Sequence, residues 1–414
     1  MFRLFSFLAA LSIAGQLSAL TVSIDGIPTR VRSSNPDLAA ARLRIEEAKG
    51  RLLGAGRLSN PEAGAAFKHD KRFEEGTVEL SFDQRFPVTA RLRLEKVLSA
   101  KLVEAAELEV RDRERLTIAE AQVLAVKLLA IDQQAALRTQ QVQLANKLST
   151  FATDRAAKGE ISALDAAQAQ VDSQRLLLES KKLEAERVGL VGELKPKLGV
   201  SATGNLEVTG PLPKTALPST IPWQRRADYQ LSLVNEQASL MEVDLARAKK
   251  WDDVTAGVMW EGERMEDAPE GLERTGFFGF RVSIPLPFWN KNQGEIAEKT
   301  ASATRAVLET KALASDITNQ AAAARADMAA NAKLATDTKD TLLPLVLEQT
   351  SKLEKAYEQG QVDLFTVLRA REQRLQLEVA VIDATRDFHL ARIRYESATG
   401  KHAPATLKPA SSSK

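Results

Sequence analysis

The stretch "VSIPLPFWNKNQGEI" (Val282–Ile296) joins two segments of very different character. The residues before it, "FFGFRVS", alternate between apolar and polar side chains, and a period of two is typical of a β-strand. The residues after it are rich in Ala, Glu and Lys, and Gly360 is the only glycine from 295 to 399. The two prolines of "PLP" cannot donate to a strand ladder. The sequence therefore predicts a short strand that ends at "PLP" and a long helix from Gly294 onward.

The composition favours helices and excludes several kinds of site. Only 5% of the 414 residues are aromatic and Ala is abundant, which favours long, closely packed helices. Lys and Arg (57) nearly balance Asp and Glu (55), so we expect no nucleic-acid-binding face. There is no cysteine for a disulfide or thiolate site, and His69, His389 and His402 lack metal-ligand spacing. We therefore expect no catalytic residue, no cofactor, no metal site and no enzyme.

The N-terminus, residues 1–19, has the pattern of a secretory signal peptide. Arg3 supplies the positive charge, Leu4 to Gly15 the apolar core, and "LSA" (17–19) a small-residue cleavage site. The alternative is a buried N-terminal helix. No later stretch has 18 consecutive apolar residues, so the sequence predicts no transmembrane helix. We expect a protein that leaves the cytoplasm.

The chain carries an internal duplication. Residues 35–67 align with 226–258 at a shift of 191, which pairs Asp37 with Asp228. "VELSFDQRFPV" (78–88) aligns with "FRVSIPLPFW" at a shift of 200, and "GEISALDAAQAQ" (159–170) with "GQVDLFTVLRAR" (360–371) at a shift of 201. Three nearly equal shifts in one order indicate two repeats of one structural unit.

Each repeat is predicted to contain a helix, two strands joined by a turn, and two long helices joined by a Gly-centred turn. The predicted divisions are a first repeat (20–209), a Pro-rich linker (210–223), a second repeat (224–400) and a flexible tail (401–414). Residues 91–157 contain no proline and, if helical, would extend about 100 Å at ~1.5 Å per residue. Pro344 is expected to kink or interrupt the corresponding helix of the second repeat.

The alternating segments predict an amphipathic sheet with one face in lipid. The residues predicted to face the membrane are Val78, Leu80, Phe82, Val254, Val258, Phe278, Phe280, Val282 and Ile284, with Ala63, Ala65 and Phe67 as the weakest segment. The aromatic residues predicted at the membrane interfaces are Phe86, Trp251, Trp260, Phe288 and Trp289. Aromatic residues that bracket an apolar band are typical of outer-membrane barrels. A sheet on a soluble core is the alternative.

Four strands cannot close a barrel by themselves. An open sheet edge in hydrocarbon leaves backbone N–H and C=O groups unsatisfied, at a cost of several kcal/mol each. If these strands span a membrane, the chain must therefore assemble with copies of itself. The polar segments 68–76 and 261–276 are predicted to be the loops that connect the strands.

The pattern resembles the TolC-type outer-membrane efflux proteins over roughly residues 25–400. The resemblance is carried by the duplication together with "NPDLAAARLRIEEAKGRLLGAGRLSNP", "SIPLPFWNKNQGEI", "AAKGEISALDAAQAQ" and "YEQGQVDLFTVLRARE". The segment "IPLPFWNKNQGEI" is most similar to the cobalt–zinc–cadmium, CzcC-like branch of that family.

The resemblance implies a mainly helical homotrimer with a small β part. Three copies of four strands would form a twelve-stranded β-barrel in the lipid of the outer membrane, and the long helices would form a periplasmic α-barrel. It implies a passive exit duct for metal ions or small toxic compounds. Its partners would be a periplasmic adaptor and an inner-membrane transporter of the RND type. A duct for type I protein secretion and a periplasmic coiled-coil scaffold that transports nothing are the alternatives.

By the same resemblance, the two Gly-centred turns would be periplasmic tips that dock the adaptor. The matching positions are Gly159, Ile161, Leu164 and Asp165 in the first tip and Tyr357, Gly360, Val362, Asp363 and Leu364 in the second. The alternative is two ordinary turns with Ile161 and Leu364 in local packing. The family's closed-state ion pair is not expected here, because Val362 replaces the arginine that would pair with Asp165. Thr366 and Arg369 stand where some relatives carry carboxylates.

Overall fold

A computed structural model describes residues 20–219, 222–267 and 271–401. The predicted signal peptide and all but the first residue of the predicted tail lie outside these residues. The helices are α1 (Ile27–Ser34), α2 (Pro36–Gly54), α3 (Arg91–Ala157), α4 (Ala163–Lys197), α5 (Ala227–Ala248), α6 (Gln293–Asp337), α7 (Leu343–Glu358) and α8 (Leu364–Thr399). The strands are β1 (Leu20–Val22), β2 (Glu62–His69), β3 (Gly76–Phe86), β4 (Leu206–Val208), β5 (Val254–Asp267) and β6 (Gly271–Ser283).

The order of elements is the one that the duplication predicts. Helix, two strands and two long helices occur as α2, β2, β3, α3 and α4, and again as α5, β5, β6, α6–α7 and α8. Helix α3 has the predicted bounds, and α6 begins one residue before Gly294. The prediction of a mainly α fold with an internal duplication and a small antiparallel sheet is confirmed.

The compact units of the structure do not coincide with the two repeats. Among the described residues, a helical unit comprises 20–39, 113–219, 222 and 318–401, and a sheet unit comprises 40–112, 223–267 and 271–317. Each unit thus takes segments from both halves of the chain. The repeat boundaries at 210 and 223 stay a prediction of the sequence.

The helical unit is held together by a core that mixes alanines with larger apolar side chains, and by ion pairs between helices. One buried cluster contains Ala324, Met328, Phe388, Ala391 and Tyr395, from α6 and α8. Alanine at such positions allows close approach of helix backbones, which is why a chain poor in aromatic residues can still form a packed core. Ion pairs link α3 to α4, with Arg187 Nε 2.6 Å from Asp132 Oδ1 and Arg138 2.9 Å from Glu179.

The predicted interruption at Pro344 is present. Helix α6 ends at Asp337, residues Thr338–Leu342 form a π-helical turn, and α7 begins at Leu343. Proline lacks the N–H that would bond to the carbonyl four residues back, and its ring clashes with that carbonyl. The wider π turn lies just before α7 and accommodates the ring of Pro344, which is the second residue of that helix.

The linker between the repeats is anchored by features that the sequence did not reveal. Strands β1 and β4 form a parallel pair that places Leu20 opposite Leu206 and Val22 opposite Val208. His389 of α8 is only 3% exposed, and its Nε2 lies 2.8 Å from the carbonyl oxygen of Pro213. Burial lowers the pKa of His389, which favours the neutral ring whose Nε2–H donates to this carbonyl.

The sheet unit contains one antiparallel sheet in the order β2-β3-β5-β6. The turn between β2 and β3 spans 70–75, inside the predicted loop 68–76. The prediction of a loop over 261–276 was wrong, because β5 and β6 remain paired out to Asp267 opposite Gly271. Both faces of this outer hairpin carry polar side chains, so no alternation marks it, whereas the backbone pairing continues regardless of side-chain polarity.

We expect Asn35 to contribute about 2 kcal/mol to the stability of the helical unit. Its Oδ1 accepts from the N–H of Leu38 (2.8 Å), and its Nδ2 donates to the carbonyl of Lys197 (2.9 Å) in a buried position. Asn35→Ala removes a helix cap worth ~1 kcal/mol and leaves the partly buried carbonyl of Lys197 without its donor, at about 1 kcal/mol. Asn35→Ser should recover the capping part alone. Chemical denaturation in detergent measures both, and equal losses for Ala and Ser would contradict the capping role.

Candidate functional site

The first candidate site is the apolar face of the sheet. Cross-strand partners point to the same face, so the register decides which residues lie together. From the helix-connected end toward the turns, successive rows contain Phe86 and Val254; Gln84, Ala256 and Val282; Ala63, Phe82, Val258 and Phe280; Ala65, Leu80, Trp260 and Phe278; and Phe67, Val78, Gly262 and Gly276. The register thus places every predicted membrane-facing strand residue on one face, except Ile284.

This apolar face is exposed rather than packed on a core. Phe280 is 80% exposed and Phe278 68%, and Leu80, Phe82, Val258 and Val282 are also exposed. Val78 to Phe86 covers eight residue steps, about 26 Å along the strand at ~3.3 Å per step. With the tilt common in barrels the band would be ~20 Å tall, close to the ~25 Å of outer-membrane barrels. The dimensions therefore fit a lipid-facing surface.

Two of the predicted positions differ in detail. Ile284 lies one residue beyond the end of β6, because the strand stops before the first proline of "PLP". Trp260 was expected near a strand end but lies in the middle of β5, opposite Leu80 and Phe278, because the outer hairpin extends past it. Trp251, Phe86, Phe288 and Trp289 do lie at the helix-connected end of the sheet, and Trp289 is 90% exposed.

The opposite face of the sheet is polar and is tied by an ion pair that crosses a strand. Asp83 of β3, Gly257 of β5 and Arg281 of β6 lie in one row, and Arg281 Nη2 is 2.5 Å from Asp83 Oδ2. A Cβ at Gly257 would overlap Asp83 Oδ1, so only glycine leaves room for this contact. A second pair joins Arg85 to Glu62 at 2.8 Å. The apolar face is thus compatible with contact to lipid, and the polar face with contact to water.

Both outer strands of this sheet have an unpaired edge. Among the described residues β2 pairs only with β3, and β6 pairs only with β5. The N–H and C=O groups along these two edges need partners from elsewhere whenever water is excluded.

The second candidate site is the pair of turns between long helices, and the two turns have the same local structure. Gly159 and Gly360 have positive φ angles of 76° and 72°, where a side chain would be strained. In each turn the residue after glycine donates to a carbonyl five residues earlier, Glu160 to Arg155 and Gln361 to Ala356. Three residues after each glycine a polar side chain caps the next helix, Ser162 for α4 and Asp363 for α8. The predicted alignment of the two turns agrees with this geometry.

The two turns share one buried cluster, which corrects part of the predicted docking set. Leu364 is 4% exposed and packs with Ala152, Ala166 and Ala169. Ile161 and Tyr357 pack against the same cluster and are partly buried. Leu364 is therefore buried in local packing, as the alternative expected. Ile161 and Tyr357 keep part of their surface exposed, and their docking role stays a prediction. The pattern of apolar residues beside a turn does not by itself tell which of them point inward.

The apolar surface of the turns comes instead from the residues after each cap. Leu164 is 72% exposed, as the predicted docking role requires, and Phe365 is 49% exposed. The local alignment pairs Leu164 with Phe365, so the repeat was the signal that could have identified Phe365. The turn residues Gly159, Gly360 and Asp363 are exposed, and Val362 is partly exposed.

The charged groups around the turns serve the fold of the turns. The Asp363 carboxylate accepts from the N–H of Thr366 at 2.7 Å, and the hydrogen bonds from Thr366 hold the pKa of Asp363 below its usual value. Burial raises the pKa of Tyr357, and the nearby Asp165 adds to that rise. Thr366 and Arg369 are exposed. Within the described ranges no three His, Asp or Glu side chains converge in a way that would hold a metal ion.

Comparison with known proteins supports one fold. No family model matches the chain. The chain is 24% identical over 387 residues to the cobalt-zinc-cadmium resistance protein CzcC of Cupriavidus metallidurans, covering 89% of this chain and 84% of that protein. The crystal structure of CusC superposes with a TM-score of 0.75 at 15% identity over 91% of both chains. The outer-membrane channel CmeC of Campylobacter jejuni gives 0.75 at 14% identity, over 91% of this chain and 85% of CmeC.

The chain has the fold of the TolC-type outer-membrane channels. The predicted resemblance to this family, and to its CzcC-like branch, is thereby confirmed. These similar proteins are channels and a resistance protein, which agrees with the expectation of no enzyme. No helix among the residues that the structure describes is both long and apolar enough to cross a membrane.

The space at Gly257 generates a test of the polar face. Gly257→Ala should displace the Asp83 carboxylate from Arg281, and we expect a lower melting temperature of the folded sheet, with a loss of about 1–3 kcal/mol. Gly279→Ala is the matched control, because its Cβ would meet only the flexible Met259 side chain, 3.2 Å from Cγ. Thermal unfolding followed by circular dichroism compares the two. Equal shifts would show that the row through Gly257 has no special role.

Proposed function

We propose that this protein is the outer-membrane exit duct of a tripartite efflux pump. It conducts substrate passively from an inner-membrane transporter and a periplasmic adaptor to the exterior. The observation that carries the proposal is the four-stranded sheet with one exposed apolar face, one polar face and two open edges. The fold shared with CusC and CmeC supports the same conclusion.

Assembly follows from the sheet edges. A single copy placed in hydrocarbon would expose the unpaired backbone groups of β2 and β6, so β6 of one copy pairs with β2 of the next until the ring closes. Three copies give twelve strands, an even number as in bacterial outer-membrane barrels. The polar face, with the Asp83–Arg281 pair, then lines the aqueous lumen. The long helices extend into the periplasm, and the predicted signal peptide exports the chain there.

The substrate class that we propose is metal ions and other small solutes. The support is the similarity to CzcC, whose name specifies cobalt, zinc and cadmium resistance. The energy comes from the inner-membrane transporter, of the RND type. A type I secretion duct has the same sheet and differs in its transporter and substrate. Loss of metal resistance on deletion of the gene, restored by the wild-type chain, would favour efflux over secretion.

The decisive experiment measures assembly and conductance. The full-length protein, expressed with its signal peptide and extracted from outer membranes in detergent, should run as a heat-sensitive trimer on unheated gels. It should also form water-filled pores in planar bilayers. A water-soluble monomer that needs no detergent would overturn the proposal and would favour the scaffold alternative.

A charge on the apolar face should block assembly. Val282→Asp places a carboxylate opposite Ala256 on the lipid-facing side, at a cost of up to a few kcal/mol. Ser283→Asp, one residue along the same strand, places the same carboxylate on the polar face and should assemble normally. The fraction of trimer in membrane extracts measures both, and normal trimer yield from Val282→Asp would contradict the assignment of faces.

Docking of the adaptor should depend on Leu164 and Phe365. We propose that these exposed side chains, together with the turns at Gly159 and Gly360, receive the adaptor. Leu164→Asp combined with Phe365→Asp should abolish metal resistance while trimer yield is unchanged. Leu178→Asp is the control, since Leu178 is equally apolar, exposed and on α4 but outside the turn. Full resistance in the double variant would remove these residues from the docking surface.

A further inference from the structure

A cavity of about 520 Å³ opens on the sheet unit at the end where the strands turn. Its lining includes Phe67, Val78 and Trp260 from the apolar face and Arg264 and Arg274 from the outer hairpin. The Trp260 ring bends along its strand over Gly262, and its Nε1 approaches Gly276. Gly262 and Gly276 thus line the base of the cavity without side chains, and the Trp260 ring lines one side of it.

The next row of the same face is basic. His69, Gly76, Arg264 and Arg274 are cross-strand neighbours in order from β2 to β6. Arg264 follows Trp260 and Gly262 at intervals of two, so it lies on the face that carries the apolar residues. Arg264 and Arg274 are directly opposite each other, with Cβ atoms expected ~5 Å apart.

Two arginines in this position repel each other unless an anion lies between them. Neither forms an ion pair with a carboxylate among the side chains that the structure describes in 20–219, 222–266 and 271–401. Glu75 and Glu263 also line the cavity. The cross-strand partners of Glu263, Thr77 and Thr275, place it on the polar face. The lining thus carries three cationic side chains, Lys68, Arg264 and Arg274, against two carboxylates, and positive charge is in excess at the outer limit of the apolar band.

The turn 70–75 contributes an aromatic side chain, Phe73, to the lining of the cavity. Phe73 stacks on His69 with ring centroids 3.9 Å apart, although its φ of 59° is unusual for a bulky residue. Asp70 fixes this turn by accepting from the N–H groups of Arg72, Glu74 and Glu75. The turn holds an exposed aromatic ring beside the cations rather than burying it.

We propose that this cavity binds a membrane lipid whose headgroup carries a phosphate monoester. Guanidinium groups bind phosphate oxygens through paired, charge-assisted hydrogen bonds. Phe67, Phe73 and Trp260 provide amphipathic or apolar surface for the glycerol or sugar region and the first carbons of the acyl chains. The inference rests on the proposed function, because the helices leave the opposite end of the sheet and the cavity therefore faces the outer leaflet.

The basic row and the apolar rows together favour a lipid over a free phosphate ion as the ligand of the cavity. A free phosphate needs only the two arginines, whereas the exposed aromatic side chains would remain in water. An acylated phosphate uses both features, with the phosphate at the basic row and the chains running down over Phe67, Val78 and Trp260.

Native mass spectrometry of the detergent-purified full-length protein tests the proposal. The probes are dioleoyl phosphatidic acid, dioleoyl phosphatidylcholine and inorganic phosphate. We expect the wild type to bind phosphatidic acid at least tenfold more tightly than phosphatidylcholine. We expect the double variant Arg264→Gln, Arg274→Gln to lose that preference. Lys250→Gln, which removes one charge near the other end of β5, should keep it.

Several results would overturn the proposal. They are equal binding of the two lipids by the wild type, unchanged preference in the double variant, or equal competition by inorganic phosphate at the lipid concentration. The wild-type comparison decides even if the double variant fails to fold. Bilayer conductance of the same wild-type preparation tests the duct separately. Pores without lipid preference reject only the lipid site, and lipid preference without pores rejects only the duct.

Discussion

The structure depends on one constraint, the need of backbone N–H and C=O groups for partners once water is removed. A sheet of four strands satisfies its inner strands but leaves the outer edges of β2 and β6 open. On a soluble protein such edges are tolerated because water covers them. Here the apolar face is exposed over five rows of side chains. A hydrocarbon environment favours this face, but it also leaves the backbone N–H and C=O groups of the two open edges without partners. In the proposed duct, ring closure with further copies of the chain removes the conflict.

The same constraint explains why the two faces of the sheet carry different kinds of side chain. The rows of the apolar face, which the proposed duct turns toward lipid, need no specific contacts, and their side chains vary in size from Ala63 to Trp260. The polar face carries the specific interaction, an ion pair from β3 to β6 that passes over Gly257. Such a pair holds three strands in one register, which matters because a slip of one residue would move the apolar residues of a strand to the polar face.

In the helical unit, helix capping and buried alanines act together with large buried side chains such as Met328 and Phe388. Ser162 and Asp363 begin their helices in the same way after Gly159 and Gly360. The duplicated turns then meet in one alanine-rich cluster that also buries Leu364. Leu164 and Phe365 are the large apolar side chains that stay exposed beside the turns, and they form the surface proposed for the adaptor.

The sequence by itself determined the duplicated order of elements, the bounds of α3, the interruption at Pro344 and the strand alternation, because each depends on local backbone chemistry or a short period. The tertiary structure alone decided that β5 continues to Asp267 and that β6 begins at Gly271. Backbone pairing does not require a pattern of apolar and polar side chains, so the sequence of this hairpin did not indicate it. It alone decided that Leu364 is buried while Phe365 is exposed, because that depends on where a neighbouring helix lies. It also brought Arg264 opposite Arg274, His389 to Pro213 and Asp83 to Arg281. Such contacts join residues distant in sequence, and only the register and packing of the folded chain fix them.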